Sequence, residues 1–143
     1  MTILVDTGVL YADHDFDASR HDAASTVLNV IYDGEFGQPY VSDYIYDEAV
    51  TLTLRRSGSF EPAKQLGEKL RGAGSYPKAY EMLRVSAAVF ADTVDIFERY
   101  DDQALSFTDA ASVALCQRHD IDSIVSFDDD FDGIVNRVDP ATV

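Results

Sequence analysis

Cysteine is nearly absent: Cys116 is the single one in 143 residues. That excludes a disulfide scaffold and any cysteine-based zinc site. Long apolar runs are missing as well, and nothing approaches the roughly 18 consecutive apolar residues that a membrane-spanning helix needs. The opening, Met1-Thr2-Ile3-Leu4-Val5-Asp6, has neither the basic flank nor the small-residue cleavage site of a signal peptide. A cytoplasmic protein without membrane contact is the expectation. There is no Gly-x-Ser-x-Gly elbow, no internal repeat, no linker and no low-complexity tract. Lysine is scarce: of 11 basic residues only 3 are Lys, against 20 Asp among 26 acidic residues, for a net charge of −15.

What is present describes one folded domain over residues 1–143. About 46% of the residues are apolar and 11% aromatic, which excludes a disordered chain. A charge of −15 repels nucleic acid and strains the compact state at ordinary ionic strength. Two readings of it compete. One is a cationic partner. The other is a cytoplasm at molar salt, where the Debye length falls to about 3 Å and self-repulsion nearly vanishes. The Asp-rich, Lys-poor balance resembles that of salt-accumulating halophilic archaea, and on that reading net charge reports on the solvent, not on the substrate.

Short apolar segments alternate with helical patterns. Residues 3–5, 39–41, 80–85, 123–127 and 135–138 read as strands. Between them lie helical patterns over 9–12, 23–32, about 42–57, 59–71, 86–100 and 109–118. Ser19 with Asp22, Ser42, Ser59, and Thr108 or Ser106 suit helix N-termini, and Gly34, Gly58 and Gly72 suit helix ends. This alternation predicts an α/β fold: a three-layer α/β/α sandwich around a parallel sheet of four or five strands.

Ligands of such sheets bind beyond the carboxyl ends of the strands. Asp6 directly follows the first strand, and Asp128 follows the fourth, two residues after Ser126. Asp109 opens a helix, and Glu48 lies one turn into a helix that starts just after a strand. Four carboxylates from four segments can thus meet at one sheet edge. Unpaired, they repel; a divalent cation removes the repulsion, and an all-oxygen donor set suits Mg²⁺ or Mn²⁺. Such ions support hydrolysis of phosphodiesters. Each acid also has a purely structural reading. An Asp after a strand or at a helix start is a common cap, Thr7 and Gly8 are turn formers, and Glu48 fits a solvated helix face. Arg55, on nearly the same helix face as Glu48, is either a phosphate contact or a solvated arginine.

Other chemistries fare worse. Asp128-x-Asp130-x-Asp132-Gly133 with Asp139 matches most of a calcium loop, but a β-branched segment leads into it and no helix has room to follow it. His14, His21 and His119 have no ligand spacing to one another. A haloacid-dehalogenase-type phosphotransferase needs a second Asp where Gly8 stands, and a receiver domain needs a late Lys where the last is Lys78.

Four segments together resemble PIN-domain ribonucleases. They are Ile3-Leu4-Val5-Asp6-Thr7-Gly8-Val9-Leu10, residues 42–52 around Glu48, Phe107-Thr108-Asp109-Ala110-Ala111-Ser112-Val113-Ala114, and Ile124-Val125-Ser126-Phe127-Asp128-Asp129-Asp130-Phe131. Their order and spacing span the chain. A free-standing domain of this size resembles the VapC toxins of type II toxin–antitoxin systems. The resemblance implies an Mg²⁺- or Mn²⁺-dependent endoribonuclease acting on tRNA or rRNA, a homodimer, and a cognate antitoxin. It carries Asp6, Glu48, Asp109 and Asp128 over as metal-binding catalytic acids, with Thr7, Ser126, Asp130 and Arg55 as supporting positions. Asp129 and Asp130 depart from the family by adding charge beside the fourth acid. The alternative is a catalytically weak PIN fold that binds RNA or protein.

The charge arithmetic makes folding salt-dependent. Screening tightens from about 10 Å at 0.1 M to about 3 Å at 1 M. Thermal melts between these KCl concentrations should rise strongly; a flat melting temperature would favour the cationic partner instead.

Overall fold

The computed structural model describes all residues, 1–143. The order along the chain is β1 (Thr2–Val5), α1 (Thr7–His14), α2 (His21–Tyr32), β2 (Gln38–Ser42), α3 (Asp43–Ser57), α4 (Phe60–Arg71), β3 (Glu81–Leu83), α5 (Ala87–Arg99), α6 (Phe107–Arg118), β4 (Ser123–Val125) and β5 (Arg137–Val138). The five strands form one sheet in the order β3-β2-β1-β4-β5, and every pairing is parallel. The expected α/β architecture with a five-stranded parallel sheet is therefore present. No helix is long and apolar enough to cross a membrane.

β1 is the centre of the molecule. Ile3, Leu4 and Val5 are all fully buried although successive side chains point to opposite faces. Both faces of the sheet are thus covered, as a parallel sheet requires. The apolar run of β4 is buried in the same way. α1 packs against both α2 and α3, and α3 against α4, while α5 and α6 form a separate pair that meets α3 through α6.

Local chemistry sets the element ends. The Ser42 hydroxyl accepts from the Ile45 N–H and starts α3, which stops at left-handed Gly58. Ser106, not Thr108, caps α6 in a full capping box with Asp109. Gly37 adopts φ 75°, and a Cβ there would collide with the Met1 carbonyl, which accepts from the Gln38 N–H to start β2. Two expected caps are absent: Arg20, not Ser19, occupies the start of α2, and the Ser59 side chain makes no cap bond at the start of α4.

The strand order reverses at β1. The chain steps outward from β1 to β2 and β3, then returns to the other side of β1 as β4. The crevice at the carboxyl ends of β1 and β4 is therefore the topological switch point, where open α/β sheets bind ligands. A second cavity of about 560 Å³, at the opposite edge, has no carboxylate in its lining and belongs to different chemistry.

Leu4 is fully buried and pairs with Tyr40 on one side and Ile124 on the other. Leu4→Ala should cost about 2–5 kcal/mol in urea unfolding, as large-to-small changes in a packed interior do.

Candidate active site

The register of β1 against β4 builds the site. Val5 pairs with Val125, and the Asp6 N–H donates to the Val125 carbonyl at 3.1 Å. This places Asp6 and Ser126, the next residue on each strand, side by side. The Ser126 hydroxyl donates to Asp6 Oδ2 at 2.6 Å and accepts from the Asp128 N–H at 3.0 Å. Ser126 is fully buried and Asp6 only 7% exposed. One hydroxyl thus fixes the carboxylate after β1 and the backbone of the acidic turn after β4.

Asp109 reaches the same place from α6. Its N–H donates to Ser106 Oγ, and its own Oδ2 accepts from the Ser106 N–H, each at 3.0 Å. The structural reading of this residue holds: the cap clamps one carboxylate oxygen and so orients the side chain. Glu48 is half-buried on α3, whose cap Ser42 ends β2. Asp128 Oδ1 accepts from the Asp130 N–H at 2.9 Å, which turns the chain after β4.

Together these residues line a cleft of about 610 Å³. Its walls are Asp6, Thr7, Glu48, Asp109, Ser126 and Asp128 from the expected set, with Asp129 and Arg20 in addition. Two expected positions are not there. Arg55 is exposed near the end of α3 and does not line the cleft, because seven residues of helix carry it about 10 Å beyond Glu48. Asp130 contributes its backbone to the turn, while Asp129 presents its side to the cleft. Asp130 Oδ lies close enough to its neighbours that Asp128, foremost, pushes its carboxyl above the usual range. Asp128, Asp129 and Asp130 form the one trio that can bring one carboxylate oxygen each to within 4.8 Å of the others.

The remaining acidic residues of that loop are structural. Arg137 donates to Asp132 Oδ1 at 2.7 Å and to the Ser126 carbonyl at 3.0 Å. A short 3-10 turn over Asp129–Phe131 and β5 stand where a calcium loop needs its exiting helix. His14 and His21 are tied to the Pro62 and Ala12 carbonyls, each at 2.8 Å. Burial pushes the Cys116 thiol up to about 12, which leaves it inert.

The electrostatics of the cleft disfavour its carboxylates in the absence of a cation. Burial, foremost, pushes the Asp6 carboxyl up from 3.8 to about 7; the Ser126 hydrogen bond opposes this, and repulsion from Asp109 and Glu48 adds to it. Asp109 is also raised, chiefly by burial and further by Asp128 and Glu48. Thr7 is only 5% exposed, and its hydroxyl has no hydrogen-bond partner. An all-oxygen donor set, a buried acid driven toward neutrality and an orphaned hydroxyl beside it fit a hard divalent cation such as Mg²⁺ or Mn²⁺.

Fold and site define a class: a doubly wound α/β domain with an acidic cleft at its switch point. A family model for the PIN domain matches residues 3–136, and the chain belongs to that family. No curated protein matches the chain in sequence. Among solved structures it is similar to VapC20 of Mycobacterium tuberculosis, a sarcin–ricin loop cleaving toxin, with 24% identity, a TM-score of 0.79, and coverage of 90% of this chain and 92% of that one. It is similar to FitAcB of Neisseria gonorrhoeae, with 17% identity, a TM-score of 0.68 and 99% coverage of both chains. It is also similar to VapBC2 of Rickettsia felis, solved with a promoter DNA fragment, with 10% identity, a TM-score of 0.70, and coverage of 96% and 98%.

The raised Asp6 carboxyl has a stability consequence. Between 3.8 and about 7 the native state holds a proton that the unfolded state releases, so metal-free stability falls as pH rises through that window. Asp6→Asn should therefore melt higher than the wild type at pH 8 in EDTA, and the difference should vanish near pH 4. Added Mn²⁺ should raise the wild-type melting temperature and leave that of Asp6→Asn nearly unmoved.

Proposed function

We propose that this protein is a divalent-metal-dependent endoribonuclease and the toxin of a toxin–antitoxin pair. The observation that carries the reading is the meeting of Asp6, Glu48, Asp109 and Asp128, from four separate segments, in one cleft of a PIN-family fold. The similar structures include a toxin that cleaves the sarcin–ricin loop, which supports rRNA as substrate, and a toxin–antitoxin complex from Klebsiella pneumoniae, which supports an antitoxin as partner; tRNA stands beside rRNA in the proposed substrate class. A homodimer is part of the same proposal.

Asp6 and Asp109 would hold the principal Mg²⁺ or Mn²⁺, with Glu48 and Asp128 completing or enlarging the site. When bound, the metal supplies Lewis-acid activation of water and charge stabilisation at the transferring phosphorus. Ser126 keeps Asp6 aimed into the cleft and fixes the Asp128 turn at the same time. Ser106 does the same for Asp109. Thr7 offers its free hydroxyl to the substrate or to ordered water. Water attack at phosphorus needs no ribose 2′-hydroxyl as nucleophile. The products are then a 5′-phosphate and a 3′-hydroxyl, with no cyclic phosphate.

Purified protein should cleave total RNA in near-molar KCl with Mn²⁺, and EDTA should abolish the cleavage. Asp109→Asn should lower the rate about 100-fold or more, beyond the 10–100-fold typical of groups that only orient a metal ligand. Ligation mapping of the 5′ ends should find phosphate. Cleavage that survives EDTA would falsify the metal mechanism, and failure to cleave any RNA would make the protein a PIN-fold binding module.

A further inference from the structure

One cation stands among the acids of the cleft. Asp6, Glu48, Asp109, Asp128 and Asp129 line it together with Arg20, the residue at the start of α2. A guanidinium beside five carboxylates is expected to pair with one. Arg118 and Arg137 do so elsewhere, at 2.7 Å each, and Lys69 and Lys78 at 3.5 Å. Arg20 makes no ion pair and no side-chain hydrogen bond. Its Cζ lies instead 4.8 Å from the centroid of the Phe127 ring. Phe127 sits between Ser126 and Asp128, so the same turn that aims two of the acids also supplies the platform for the arginine.

We propose that Arg20 is the phosphate-binding residue of the cleft, taking the non-bridging oxygens of an RNA backbone phosphate beside the scissile bond; this rests on the endoribonuclease reading above. Stacking on an aromatic face holds a guanidinium through its π surface and leaves its in-plane N–H donors free. Those donors match two phosphate oxygens in a bidentate pair. An arginine paired with Asp128 or Asp129 would have to break that pair before meeting substrate; one held on Phe127 does not. The placement also answers an electrostatic need. A cleft of five carboxylates repels a polyanion, and a bound cation answers this only where it is coordinated, whereas Arg20 presents positive charge at the cleft wall. The bland alternative is that Arg20 only offsets the acids. In that case its loss alters metal affinity and leaves RNA contacts alone.

The test compares wild type, Arg20→Gln, Arg20→Lys and Phe127→Leu with Lys78→Gln, a charge-matched change at the opposite edge of the sheet. Anisotropy of a fluorescein-labelled single-stranded RNA is read across a KCl series, Mn²⁺ binding by calorimetry, and cleavage as separate KM and kcat. Arg20→Gln should raise Kd and KM about tenfold, flatten the log–log salt slope by about 0.7, the value for one phosphate contact on a single strand, and leave Mn²⁺ affinity unchanged. Arg20→Lys should keep the slope without recovering full affinity, and Phe127→Leu should weaken RNA binding with the charge intact. Lys78→Gln should match wild type. An unchanged slope and KM in Arg20→Gln, or a change confined to Mn²⁺ affinity, would overturn the proposal. A second arm separates it from the nuclease reading: inorganic phosphate is titrated into the Mg²⁺-loaded protein while the arginine Nε–H signals are followed by NMR. A shift of the signal missing from Arg20→Gln, in a protein that cleaves no RNA, sinks the nuclease reading and keeps the phosphate site. Cleavage with an unmoved Arg20 signal does the reverse.

Discussion

The Ser126 hydroxyl, donating to Asp6 and accepting from the Asp128 backbone, is the contact on which the site depends. It exists because β1 and β4 pair in a single register, Val5 opposite Val125. A slip of one residue would turn every side chain of a strand to the other face, putting Asp6 into the packed interior and Val5 into the cleft. The burial of Ile3, Leu4 and Val5 on both faces makes such a slip costly. Ser126 is itself held from the far side, where its N–H donates to the Val138 carbonyl and its carbonyl accepts from Arg137. Core packing, sheet register and the aim of two carboxylates are thus one constraint.

That constraint holds acids where they are least comfortable. Asp6 is buried among like charges, and burial raises its carboxyl despite the Ser126 hydroxyl and the Thr7 backbone that relieve it. The rest of the fold supplies the stability that this arrangement subtracts, as local strain at functional sites generally requires. The chain does not relieve the cleft with a nearby ion pair. Its paired cations do not line the cleft: Arg137 lies behind Ser126 and pairs with Asp132, and the arginine that does line it rests on a ring. A cleft left short of positive charge in this way would keep its free energy for a metal and a phosphate, as proposed above.

Much of this was legible in the chain. Ser42 and Gly58 bracket α3 as their residue types require, and the short apolar runs fall on the strands because parallel strands buried on both faces need nothing else in sequence. The position of an acid directly after such a run was enough to bring Asp6 and Asp128 to the switch point. Arg20 was not legible. It lies in the connection between α1 and α2, with no periodicity around it, and only the path of that connection past β4 brings it to Phe127. Arg55 shares nearly one helix face with Glu48, yet spacing gives the face of a helix and not the depth of the cleft beside it, which Arg55 does not line. Asp129 lines the cleft in place of the expected Asp130 because a 3-10 turn, which the calcium-like spacing does not reveal, commits the Asp130 backbone to Asp128.

At Asp109 a helix cap and a candidate metal ligand share one side chain. A first-turn acid that caps its own helix is ordinarily finished chemically, with its charge satisfied by backbone donors. Here the capping box uses one carboxylate oxygen and one backbone N–H, and the raised carboxyl indicates that burial and the neighbouring acids outweigh those bonds. The cap therefore acts as a hinge pin rather than a sink: it fixes the direction of the side chain without satisfying its charge. Ser126 treats Asp6 in the same way. In both cases a neutral hydroxyl residue does the orienting, which leaves the negative charge available to a cation, whereas a lysine or arginine in either place would have consumed it.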